Sequence, residues 1–202
     1  MRSALLIIIF VGIHFSFMDV NPEQKAYNHI RNIKKGVVLV RLHTDDAVVE
    51  QMRKLSQQKT LKRKLAEIEK KNTEIYKALN TAYTFGEIRF FYARNSKDVR
   101  EGNFEGIFLG ADLTIDSSIT IPQNVPIYIL DVGDIYFDAI SGHMEGVVVM
   151  NNEFKPLEKP FPFYVRKRSG MAIIKRTDLD IAMLLNKNFE EFYSRATSQP
   201  SH

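Results

Sequence analysis

From Asn21 onward the apolar positions change period several times, and each change marks an element. Asn21-Pro22-Glu23 reads as a helix start, with Asn as cap and Pro where its missing N–H costs nothing. Ala26, Tyr27, Ile30 and Ile33 recur at three- and four-residue spacing, and Lys34-Lys35-Gly36 closes the helix with cations at its negative end. Val37-Val38-Leu39-Val40-Arg41-Leu42 is apolar at both parities, the pattern of a strand buried on both faces of a parallel or mixed sheet covered by helices. Thr44-Asp45-Asp46 reads as a helix cap, and the helical pattern then runs to Tyr83 without Pro or Gly. Its apolar stripe does not hold one direction. Val48, Met52 and Leu55 lie roughly 180° around the helix from Leu61, Leu65, Ile68, Ile75 and Leu79. The reversal predicts a break within Ser56-Gln57-Gln58-Lys59-Thr60, or a helix whose middle leaves the domain surface. We therefore expect Arg53 to Lys71 to form a charged helical excursion with its tip near Ser56 to Thr60.

Ile88 to Ala93 reads as the second strand, Lys97 to Asn103 as a short helix and Gly106 to Leu109 as a short third strand. Residues 112–125 carry loop punctuation. Pro126 to Val132 is the fourth strand, 133–143 an acidic loop, and Gly146 to Met150 the fifth strand, closed by Asn151-Asn152. Phe154 to Pro162 reads as an edge connection. Residues 163–167 and 171–176 flank Ser169-Gly170 as a hairpin. Thr177 with Asp180 resembles a capping box, before the stripe Ile181, Leu184, Leu185, Phe189, Phe192. The sum is one α/β domain over about 21–195, with α+β as the alternative: a mixed sheet with helices on both faces, its first two strands parallel, and a polar tail over 196–202.

Composition changes this picture only by exclusion. The chain has 202 residues, 45% hydrophobic and 26% charged, which rules out fibrous or wholly disordered classes. Lys+Arg 28 against Asp+Glu 24 gives +4, too small an excess for a dedicated nucleic-acid binder. Zero cysteines removes disulfides, thiol catalysis and Cys-ligated metals. Met1-Arg2-Ser3 followed by apolar Ala4 to Met18 has the form of a secretory leader, too short for a spanning helix. The bulky Phe15-Ser16-Phe17-Met18 gives no ordinary cleavage site, so residues 1–18 are expected to act as a signal peptide or an N-terminal anchor. An exported, periplasmic or envelope-associated protein is expected.

No dinucleotide fingerprint, P-loop, nucleophile elbow or zincin motif occurs, and no cofactor or metal is expected. One acidic group stands out: Asp131, Asp134, Asp138 and His143, with Glu145, around the loop after the fourth strand. Ligands of α/β sheets bind beyond the carboxyl ends of strands, so these residues are a candidate ligand, hard-cation or acid/base site, against the alternative of ordinary loop solvation. Arg166-Lys167-Arg168 and Lys175-Arg176 place cations on both arms of one hairpin; they either receive a phosphate or sulfate, or keep an edge from pairing with other sheets. The stretch 51–71 carries eight Lys/Arg against Glu67 and Glu69. Lys62, Arg63 and Lys64 are its candidate interaction surface, for anionic membrane or an acidic partner, against the alternative of a solvated face with local charge pairs.

Tyr27-x-x-Ile30-Arg31, the strand Gly36 to Leu42, Phe90-Phe91-Tyr92, Val99 to Phe104 and Lys159 to Val165 resemble a family of uncharacterised exported bacterial α/β proteins. That resemblance implies export and architecture, and no site. The element order is also similar to a thioredoxin-like fold, without its redox cysteines. The expected function is a non-catalytic binding or interaction module of the cell envelope, with an envelope protein or an anionic membrane surface as partner. The alternative is a metal- or carboxylate-dependent hydrolase using Asp131, Asp134, Asp138 and His143.

Overall fold

The computed structural model describes residues 21–137, 142–168 and 175–198. Helix α1 (Pro22–Lys35) starts as its sequence requires: Asn21 Oδ1 accepts the Glu23 amide at 2.9 Å, and Ala26, Tyr27, Ile30 and Ile33 form the buried stripe. Strand β1 (Val37–Leu42) is buried throughout except for half-buried Arg41. The long helical stretch that follows is two helices, α2 (Asp46–Lys54) and α3 (Gln58–Ala82). Between them Ser56 takes the left-handed conformation (φ 52°) that lets the chain reverse. Strand β2 (Glu87–Tyr92), a 3-10 turn at Ala93–Asn95, helix α4 (Ser96–Glu101), strands β3 (Ile127–Phe137), β4 (Gly142–Asn151) and β5 (Tyr164–Arg166), and helix α5 (Asp178–Ser198) complete the order.

The sheet order is β2-β1-β3-β4-β5. β1 pairs in parallel with both neighbours, Val37 opposite Glu87 on one side and Ile127 on the other. β4 is antiparallel to β3, and β5 to β4. The crossover from β1 runs outward to β2, and the next runs back past β1 to β3. Right-handed crossovers in opposite directions place their helices on opposite faces. One core accordingly joins α1, α3 and α5 to the sheet, centred on Ile30, Val38, Leu130, Phe189 and Phe192. The other joins α4 and the 104–125 segment to Leu39, Phe91, Ile129 and Val148. The α/β mixed sheet with helices on both faces and a parallel first pair is the architecture the sequence predicts.

Several boundaries differ. The segment read as an acidic loop over 133–143 is mostly strand: β3 runs to Phe137 and β4 resumes at Gly142, with Asp134 opposite Glu145 and Tyr136 opposite His143. Gly133 hid this, because its φ of 151° belongs to glycine yet keeps the chain extended enough to pair with Gly146. Gly106 to Leu109 makes isolated bridges, Phe91 to Phe108 and Leu109 to Ile115, and no full strand. The predicted hairpin arms reduce to β5 and one bridge, Arg168 to Lys175; its turn lies outside the described residues. The expected tail from 196 starts too early, because α5 continues to Ser198 and buries Ala196 completely. The Thr177 capping box is present in full: Asp180 N donates to Thr177 Oγ1 at 3.1 Å, and Thr177 N donates back to Asp180 Oδ2 at 2.9 Å.

Two measurements check this packing. Phe189 is fully buried and meets the rings of Tyr83, Phe85 and Phe161 at centroid distances of 6.2, 5.4 and 5.7 Å. Phe189→Ala is expected to cost about 3–5 kcal/mol in urea unfolding. His29 lies between Tyr128, whose hydroxyl is 2.9 Å from Nδ1, and the edge of Phe161. Burial, helped by the charge of Lys25, holds its pKa below the ordinary imidazole value. The folded state then binds fewer protons there than the unfolded chain, so this stabilisation is present above about pH 6.5 and is lost as pH falls below it. His29→Gln is expected to flatten the acid-side fall in melting temperature; an unchanged slope would refute the assignment.

Candidate functional site

Past the carboxyl end of β1 the chain leaves for α2 while the neighbouring β3 runs on to Phe137, and the crevice lies at this switch point from sheet to helix. Four side chains meet there. Arg41 is the one polar residue of β1, and Asp131 is its register partner on β3. Arg41 Nη1 donates to Asp131 Oδ2 at 3.2 Å, and His43 Nε2 donates to Oδ1 at 2.6 Å. From α3, Asn72 Nδ2 donates to the His43 carbonyl at 3.0 Å. Asn72 and Asp131, 3% and 6% exposed, are the buried polar residues among those described, and both are spent on His43. A carboxylate only accepts, so the proton shared with Asp131 sits on Nε2. Nδ1 is left without a partner among the described residues, available as a base or acceptor.

Behind this pair, the Arg41 guanidinium stacks over Phe154 at 5.6 Å and Arg100 approaches the same ring at 5.3 Å. Phe154 itself is held at φ 63°, an unusual conformation for a bulky residue. In front lies a cavity of about 490 Å³, walled by His43, Asp45, Lys64, Glu67, Lys71 and Gly133. Gly133 forms its floor: a Cβ there would lie 3.7 Å from His43 Cδ2 and 3.9 Å from Lys71 Nζ. Asp45 makes no helix-capping bond to α2, contrary to the sequence reading. Its carboxylate is taken by Lys64 Nζ at 2.8 Å, a hydrogen bond that raises the lysine pKa. Lys71 is half-buried and has no counter-ion among the described residues.

The sequence-predicted groups divide. Asp131 belongs to this site. Asp134 and His143 take strand positions on β3 and β4, and Asp138 lies outside the described residues. No group of three metal-ligating side chains occurs among the described residues. Lys62 and Arg63 are exposed on α3, whereas Lys64 turns into the cavity rim and is only 24% exposed. Arg41, His43, Asn72 and Lys71 were missed. The available signal was an arginine inside an apolar strand and a histidine directly after its last residue.

Fold and site together define an α/β protein with a polar cavity at the switch point of a 2-1-3-4-5 sheet. No family model matches the chain, and neither the curated proteins nor the solved structures contain a match to it. Among the described residues no helix is long and apolar enough to cross a membrane.

Asp131 carries more of the fold than its histidine partner. Asp131→Ala leaves Arg41 facing a buried void and is expected to cost about 1–3 kcal/mol. His43→Ala, at a third-exposed position, is expected to cost well under that in the same urea titration. Equal losses would show that His43 is packing and not a held functional group.

Proposed function

We propose that this chain is a non-catalytic binding module and that its ligand is a small carboxylate-bearing molecule held in the switch-point cavity. The observation that carries the reading is Lys71: a half-buried ammonium without a counter-ion among the described residues, beside a histidine positioned by both buried polar side chains. A half-buried cation without a neighbouring carboxylate attracts an anion from solution. Lysine is a point charge with three donors, suited to a compact anion, and His43 Nδ1 adds a second polar contact. Asp45 and Glu67 on the rim favour a ligand with a polar or cationic far end. The leader-like residues 1–18 and the resemblance to exported bacterial α/β proteins support a place in the cell envelope; the thioredoxin-like likeness rests on element order alone. Mass spectrometry of the N-terminus after expression in a bacterial host tests the leader, and an intact Met1 in the cytosolic fraction would end that reading.

Thermal-shift titration against acetate, succinate, citrate and amino acids tests the ligand. A carboxylate at 100 times its dissociation constant adds about 2.7 kcal/mol. Lys71→Met is expected to abolish the shift and to leave the ligand-free melting temperature level or higher. The second reading is a carboxylate-assisted hydrolase, favoured by the Asp131–His43 hydrogen bond, which orients Nδ1 as a base for water. Turnover of chromogenic carboxylic esters that vanishes in His43→Ala would establish it in place of the first.

A further inference from the structure

A second concavity lies at the edge of the sheet formed by β5. Arg166 on β5, Arg168 just beyond it and Arg176 on the returning chain line one concavity of about 330 Å³, with Asn188 from α5 at its wall. Among the described residues none of the three makes an ion pair, although the two lysines between them do: Lys167 lies 2.8 Å from Asp178 and 3.5 Å from Glu145, and Lys175 lies 3.2 Å from Glu145. The carboxylates Glu145 and Asp178 are thus taken by lysines, and the arginines line the concavity without one. The hydrogen bonds from Thr177 hold the Asp180 pKa down, with a smaller contribution from the charge of Arg176, so that carboxylate is already engaged. Two of the three guanidiniums are also fixed. Arg176 Nη1 donates to the Arg166 carbonyl at 2.9 Å, and the Arg166 head stacks on Tyr164 at 5.4 Å. Holding like charges together at ordered positions costs free energy that a doubly charged anion offsets.

We propose that this concavity binds a phosphate group. Guanidinium forks match oxyanions bidentately, and three forks exceed what a two-oxygen carboxylate can satisfy. A phosphate monoester offers three terminal oxygens and a charge near −2 at neutral pH. The Asn188 amide adds a neutral donor. The site is separate from the switch-point cavity and shares none of its residues. The same chemistry is offered by a soluble phosphate ester and by the headgroup of phosphatidic acid.

Isothermal titration with inorganic phosphate and phenyl phosphate, in low-salt buffer, is the test. Saturable binding is expected, weakening as salt rises. Arg168 is exposed and its side chain makes no hydrogen bond among the described residues, so Arg168→Gln is expected to weaken binding by about tenfold or more while leaving the melting temperature in place. Arg176→Lys keeps the charge but loses the fork and is expected to weaken it as well. Lys71→Met is expected to bind phosphate like the parent. Sedimentation with phosphatidylcholine vesicles, with and without phosphatidic acid, separates the two sources: retention only with phosphatidic acid assigns a lipid, and binding of phenyl phosphate without retention assigns a soluble ester. Absence of saturable phosphate binding overturns the proposal. So does phosphate binding that survives Arg168→Gln and is lost in Lys71→Met, which places the anion in the switch-point cavity instead.

Discussion

A strand with no side facing water sets the terms for this molecule. β1 is apolar on both faces and hydrogen-bonded on both edges, each time to a parallel neighbour. Parallel neighbours cannot be joined by a hairpin, so the chain must leave and return by crossovers. Covering both faces requires those crossovers to take opposite sides, and with one handedness available they must also run in opposite directions. The crevice lies where the first of these crossovers leaves β1 beside a β3 that runs on to Phe137.

The same burial decides where polar chemistry can stand. Within the sheet, Asp131 is tolerated because two donors, Arg41 and His43, meet its two oxygens and water is not needed to satisfy it. Arg41 in turn delivers its charge from a strand otherwise apolar and lays its plane against Phe154. His43 sits one residue past the strand, the first position with access to the crevice, and its backbone carbonyl is pinned by Asn72. Rigid backing and an open front are what a site of defined geometry requires.

How much of this was readable follows from the range of the forces involved. α1 was legible to the residue because its signals are local: an Asn cap, a Pro and a Gly past the end. The α2–α3 break was legible because an amphipathic stripe cannot reverse without one, and the turn at Leu55-Ser56-Gln57 falls at the start of the predicted interval. The outer half of β3 was not, since Gly133 and Asp134 look like turn residues until β4 lies beside them. The site was legible only in one member. Asp131 stood out among its acidic neighbours, but its partners come from 90 and 88 residues away, and no local spacing encodes that meeting. Asp45 shows the converse: a good local cap signal was overridden by a lysine 19 residues on.

The basic stretch in α3 gains a physical reading from its length. α3 has 25 residues, about 37 Å, while the six residues of β1 span about 20 Å. Asn72 marks the level of the strand end, because it bonds the carbonyl of His43. The turns before it stand beyond the end of β1, across the cavity from Gly133 of β3, with Val49 of α2 and Leu61 buried there. Lys64, Ile68 and Lys71 recur at spacings of four and three, so one face of this overhang looks into the crevice and forms its wall. Lys62 and Arg63 fall off that face and remain in water. What reads in sequence as a single cationic arm is two surfaces of one helix. A helix shortened to match β1 would cover the core equally well and leave the crevice open on that side, so the overhang's contribution is to the cavity and not to the core.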